Sequence, residues 1–192
     1  TWINESFKKD YSADDLSDLL TLSGIESEIE KDKGEEILDI SLTPNRADCF
    51  SYKGIIQEIS ALDNAKIKYE DLLNTEIHHK ECMKVEVQSK EDCPVFMTRV
   101  IKSINKDANT PKWLKKRLEQ SGYKSINAIV DIANFVMLET GQPLHTYDLK
   151  KINEKIIVRR ANDKEAIDIL DGSRKLLDSD FLVIADSKKA LG

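Results

Sequence analysis

The sequence predicts an α+β chain: a small helix-strand domain followed by part of a larger mixed α/β domain. Three observations carry this. Amphipathic helix patterns alternate with short period-2 strands over residues 1–62. A mixed polar stretch without a period, 63–80, then reads as a linker. Over 81–192, strand patterns surround one helix pattern that is apolar on nearly every side.

In order, Ser12 is a good N-cap, with Asp14 and Asp15 suiting the positive end of the helix dipole. Leu16, Leu19 and Leu20 form its apolar stripe and Gly24 its stop. Ile25 to Ile29 alternates as a strand. After a charged break at Lys31–Glu35, Glu36 to Leu42 alternates again, with Leu38, Ile40 and Leu42 on one face. Thr43-Pro44-Asn45-Arg46-Ala47-Asp48-Cys49 then turns the chain, because Pro44 holds the preceding residue extended and Asn45 suits a turn. The corner reads either as rigid architecture or as a contact with RNA or another subunit through Arg46. Ile55, Ile56, Ile59 and Leu62 stripe the next helix, over 51–62.

Met83, Val85 and Val87 predict a strand, and Phe96 to Ile104 a second. Thr110 as N-cap and Pro111 as first helical residue open a helix through Trp113, Leu114 and Leu118, which stops at Gly122. Its outer face carries Lys112, Lys115, Lys116 and Arg117, the most basic patch of the chain. Lys112, Lys115 and Lys116 are therefore candidates for phosphate contact, against the plainer reading of a solvated face.

The segment Ile126–Leu149, INAIVDIANFVMLETGQPLHTYDL, is the most informative. Its helix is expected to be buried and to pack on a sheet. Asp131 and Asn134 interrupt the apolar pattern one turn apart, and each needs polar partners if buried. Gly141 ends the helix, Pro143 prevents its resumption, and His145 follows on the turn. Asn134 and His145 can border one pocket, or can simply satisfy neighbouring backbone. Further on, Lys155–Arg160 and Phe181–Ala185 read as strands. Asp171-Gly172-Ser173 reads as the turn of a hairpin between Ala166–Leu170 and Arg174–Leu177.

Composition sets the outer bounds. The 192 residues are 40% apolar and 33% charged, with net charge −6, which argues against a dominant grip on nucleic acid. No apolar run is long enough for a membrane span. Cys49, Cys82 and Cys93 lack metal-type spacing and read as reduced thiols in a cytoplasmic protein, and His78-His79 reads as loop. No metal site and no glycine-rich phosphate loop are expected.

These motifs together resemble the bacterial-type phenylalanyl-tRNA synthetase beta subunit. Its VD-x-x-NY-V-x-LE-x-GQP-x-H-x-FD pattern stands here as Val130-Asp131, Asn134-Phe135, Val136, Leu138-Glu139, Gly141-Gln142-Pro143, His145 and Tyr147-Asp148. The T-P-N-R-x-D-C corner is similar too, as are Cys93-Pro94-x-Phe96-x-x-Arg99-Val100 and Leu170-Asp171-Gly172. The resemblance implies an N-terminal portion of that subunit. The oligonucleotide-binding barrel that usually interrupts the small domain is missing between Glu30 and Glu35, and the chain ends within the editing domain.

The resemblance further implies a share in aminoacylation of tRNA-Phe and in hydrolytic editing of mischarged tyrosyl-tRNA. The expected editing pocket comprises Lys124, Ala133, Asn134 and His145, with no catalytic side chain for aminoacylation. Lys124 stands for the usual arginine and Ala133 for a common threonine. The expected partners are the alpha subunit, in a heterotetramer, and tRNA-Phe. ATP and magnesium are expected for the whole enzyme and no cofactor for this chain. The alternative is a non-catalytic structural or RNA-binding scaffold that holds the alpha subunit or tRNA.

Overall fold

A computed structural model describes residues 2–32, 34–68, 75–169 and 172–192. The architecture of these residues is α+β, with helices and, among the described residues, three small sheets. The chain divides into two compact units, residues 1–74 with 105–146, and residues 75–104 with 147–192. This grouping differs from the division into 1–62 and 81–192, because the basic helix and the central helix pack with the N-terminal elements.

In the first unit, α1 (Trp2–Glu5) precedes α2 (Ala13–Leu22). A reciprocal capping box between Ser12 and Asp15 starts α2. Strands β1 (Glu26–Asp32) and β2 (Glu35–Ser41) pair antiparallel, and α3 (Tyr52–Asp63) follows the corner. Phe7, Leu16, Leu20, Ile25, Cys49 and Ile59 are fully buried between these elements, and Leu38, Ile40 and Leu42 pack on them as the alternation predicts. The corner forces a close approach. A Cβ on Gly54 would lie 1.9 Å from the Asp48 carbonyl oxygen, so only glycine fits there.

Helices α4 (Lys112–Gln120) and α5 (Ala128–Thr140) complete this unit. Pro111 is the N-cap of α4 rather than its first residue, and Thr110 does not cap it; the Thr110 hydroxyl bonds elsewhere, as described below. Among the described residues helix α5 packs chiefly on α3 and α4 rather than on a sheet, and it is half-buried, with Ile132 51% exposed. Aromatic contacts fix this arrangement. Trp2 stacks on Tyr52 and Phe135 at 4.3 and 5.4 Å between ring centroids, and Trp113 meets Phe135 edge-on.

In the second unit, β4 (Ile156–Arg160) is central, flanked by β3 (Val85–Val87) in parallel and β7 (Leu182–Ala185) antiparallel. Ile156, Ile157 and Val158 are buried, as a central strand requires. Strands β5 (Ala166–Asp168) and β6 (Arg174–Leu176) form the predicted hairpin, of whose signal Leu170 and Asp171 lie outside the described residues. Of the linker 63–80, residues 69–74 also lie outside them. The predicted strand Phe96–Ile104 is not one. The segment finds no ladder partner among the described residues, and Val95, Met97 and Ile101 stay exposed. Strand propensity is realised only against a neighbour.

Candidate functional site

Helix α5 organises the site. Asn127 caps it by accepting from the backbone N–H groups of Ile129 and Val130, each at 3.1 Å. Gly141 closes it at φ 76°, its N–H donating to the Met137 carbonyl at 2.8 Å. A Cβ there would press on Ser51 at 3.3 Å, so the end of α5 lies tightly against the start of α3.

The most buried residue of α5 is a carboxylate, Asp131, with no exposure. It accepts from the Thr110 hydroxyl at 2.5 Å, the Ser125 hydroxyl at 2.6 Å and the Ile126 backbone N–H at 2.9 Å. Burial alone pushes its carboxyl up; the bonds from Ser125, Thr110 and the backbone outweigh burial and hold it below the usual carboxylate range. The sequence states that Asp131 needs partners, and the structure supplies them from Thr110, expected only as a helix cap, and from Ser125, which no motif marks.

The four expected pocket residues all lie in this unit. Lys124 is exposed and adjoins the Ser125 anchor, Ala133 is buried and Asn134 half-buried on α5, and His145 is exposed beyond Gly141. Lys124 thus precedes the helix and His145 follows it, at opposite ends of its 13 residues. A cleft of about 350 Å³ opens beside the anchor, lined by Lys106, Asp107, Asn109, Thr110, Lys115, Ser125 and Asn127 among others. It includes Lys115 but none of the four pocket residues.

The basic face of α4 is largely compensated. Lys116 pairs with Glu35, Lys115 with Glu119 at 3.7 Å, and Arg117 with Glu5. The Arg117 guanidinium also lies over the rings of Trp2 and Trp113, at 4.8 and 5.2 Å. Lys112 is exposed and makes no ion pair among the described residues.

Arg46, the other candidate contact, turns inward. It donates to Glu58 at 2.8 Å, to Asp48 at 3.0 Å and to Cys49 Sγ at 3.0 Å. The donor atoms of Asp48, Cys49 and Glu58 lie within 4.8 Å of one another, close enough for a metal ion, but the guanidinium already bonds to all three groups. Burial and the Asp48 carboxylate push the Cys49 thiol up to about 11, which keeps it protonated and inert. No helix among the described residues is long and apolar enough to cross a membrane.

Comparison with known proteins fits these features. The B3/4 domain matches residues 92–192. Phenylalanine–tRNA ligase beta subunits are similar over most of the chain. That of Aliivibrio fischeri is 44% identical over 154 residues, 80% of this chain and 19% of the relative. That of Methylococcus capsulatus is 41% identical over 82% of the chain, and that of Neisseria gonorrhoeae 42% identical over 83%. The chain spans about a fifth of the length of the curated relatives it matches. On the extent of these matches, the chain belongs to the B3/4 domain family, in the form found in bacterial phenylalanine–tRNA ligase beta subunits.

Proposed function

We propose that this chain serves phenylalanine–tRNA ligase as part of its beta subunit and contributes to hydrolysis of tyrosyl-tRNA formed in error. The observation that carries the reading is the similarity over four-fifths of the chain, 44% identical to one such subunit; Asn134 and His145 belong to the motif by which the sequence resembles that family. The chemistry gives a reason for such a site. Phenylalanine and tyrosine differ by one hydroxyl, and an apolar pocket rejects an added hydroxyl only about a hundredfold. A second pocket that bonds the hydroxyl finds the error.

Ester hydrolysis there requires an oriented water and donors for the developing oxyanion. In this reading Asn134 holds substrate or water from α5. His145, on the turn after it, bonds the tRNA end or the attacking water rather than acting as nucleophile. ATP and magnesium belong to the aminoacylation site of the alpha subunit. In this reading no step of the hydrolysis runs through them. Lys112 is the basic-face residue best disposed to meet a tRNA phosphate, since its neighbours are paired.

The test is His145→Ala in the complete beta subunit assembled with its alpha subunit. Deacylation of tyrosyl-tRNA is expected to fall about 10²–10³-fold, while phenylalanine charging stays near normal. Unchanged deacylation defeats the reading. A scaffold role is the second reading, favoured by exposed Val95, Met97 and Ile101 on one short segment. It predicts co-elution with the alpha subunit together with indifference of deacylation to His145.

A further inference from the structure

We infer that Asp131 is the positioning residue of this pocket, tying the backbone that carries Lys124 to the helix that carries Ala133 and Asn134. The inference rests on the editing reading above and extends it to a residue that never meets the substrate.

The geometry leads there in three steps. First, bonding at the helix end does not account for Asp131. The Asn127 side chain caps α5. The Asp131 carboxylate also accepts from the Asn127 backbone at that cap, but its two hydroxyl partners and the Ile126 N–H lie in two irregular segments: Thr110 ahead of α4, and Ser125-Ile126 between α4 and α5. Second, the tie is strong. Hydroxyl donors at 2.5 and 2.6 Å to a carboxylate are short charge-assisted bonds, and full burial keeps water from competing. Third, the tie sits where the pocket needs it. Ser125 adjoins Lys124, while Asp131 lies two residues before Ala133 and just under one helical turn before Asn134. The Lys124 side chain is exposed and forms no ion pair among the described residues, so its place relative to α5 depends on this backbone anchor.

An apolar residue would fill a buried helix position with less desolvation. A carboxylate bound to two irregular segments instead fixes their register on the helix. A displacement of about 1 Å at a reacting site costs up to about a hundredfold in rate, so this register matters more to hydrolysis than to folding.

The experiment is a double-mutant cycle in the complete beta subunit with its alpha subunit. Deacylation of tyrosyl-tRNA is read as kcat and KM separately, and phenylalanine charging serves as the control. Asp131→Asn keeps the shape and is expected to lower deacylation kcat about 10–100-fold, with charging within about twofold. In a Lys124→Ala background the same change is expected to have less than about a twofold effect, because the residue it acts through is gone. Thr110→Val and Ser125→Ala give milder versions should Asp131→Asn fail to fold. Thr110→Ser and Ser125→Thr, which keep the hydroxyl, are expected to retain activity.

Equal factors in both backgrounds overturn the inference. So does a lowered Tm with unchanged kcat, or indifference of deacylation to Lys124→Ala while His145→Ala slows it. If Lys124→Ala, Asn134→Ala and His145→Ala all leave deacylation untouched, the editing reading itself fails and takes the inference with it.

Discussion

The Thr43–Cys49 corner and the Gly141–His145 turn are equally dense in motif residues, yet their polar groups go to opposite places. At the corner Arg46 lies among Asp48, Cys49 and Glu58, and the 3-10 turn Ala47–Cys49 presses its backbone onto Gly54. At the turn Leu144 and His145 are exposed, and at the other end of α5 so is Lys124. The two regions adjoin through their neighbours, since Gly141 packs on Phe50 and Ser51, just past the corner, and Lys53 on α3 lies 3.8 Å from Glu139 on α5. The corner thus acts as the abutment against which the turn is set. Motif density alone does not separate architecture from site; how deeply each polar group is set does.

The largest expected effect breaks the abutment. Gly54→Ala sets a Cβ 1.9 Å from a backbone oxygen that cannot rotate away. It is expected to destabilise the chain by about 3 kcal/mol. Thermal unfolding measures this, and an unchanged Tm would mean that the corner is not as tight as described.

A smaller effect tests the charge network. Hydrogen bonds from Arg46, then from Cys49, hold the Asp48 carboxyl at about 2. Its unfolded value is near 3.9. Because the folded value is depressed, the contribution is complete above about pH 4 and disappears as pH falls through about 2. Asp48→Asn is expected to flatten the pH dependence of Tm in that window and to leave deacylation alone. A loss of deacylation would draw the corner into the site.

Much of the fold is legible in the sequence where the signal is local. The Ser12 cap, the Leu38-Ile40-Leu42 face and the Gly141 stop each follow from neighbours within a few residues. What is illegible is long-range. The alternation at Phe96–Ile104 states what a strand would bury but names no partner for its ladder. The apolar surface of α5 predicts full burial, but sequence does not say how many of its sides receive a neighbour, and Ile132 receives little. Asp131 announces its need for donors, while Thr110, 21 residues earlier, gives no sign of being one. The same distance effect moves residues 105–146 into the first unit.

The smallest expected effect sharpens the site side of the comparison. Ala133 is buried, at 8% exposure, and Lys124 is exposed, so the two departures from the arginine and threonine of the resembling family differ in structural consequence. Lys124→Arg adds a planar fork in solvent and should leave Tm unchanged. Ala133→Thr adds a methyl and a hydroxyl at a packed position and should lower Tm by an amount typical of overpacking, about 1 kcal/mol. Together they are expected to raise tyrosyl-tRNA deacylation by the complete enzyme a few-fold. One added hydrogen bond to water or substrate is worth about 1 kcal/mol, and the arginine fork holds an anionic group by two bonds rather than one. A gain from the pair but from neither single change would mean that the two positions meet across one pocket. If the pair leaves deacylation unchanged, Lys124 and Ala133 are outside the reacting site, and if His145→Ala leaves it unchanged too, the exposed turn is surface rather than pocket.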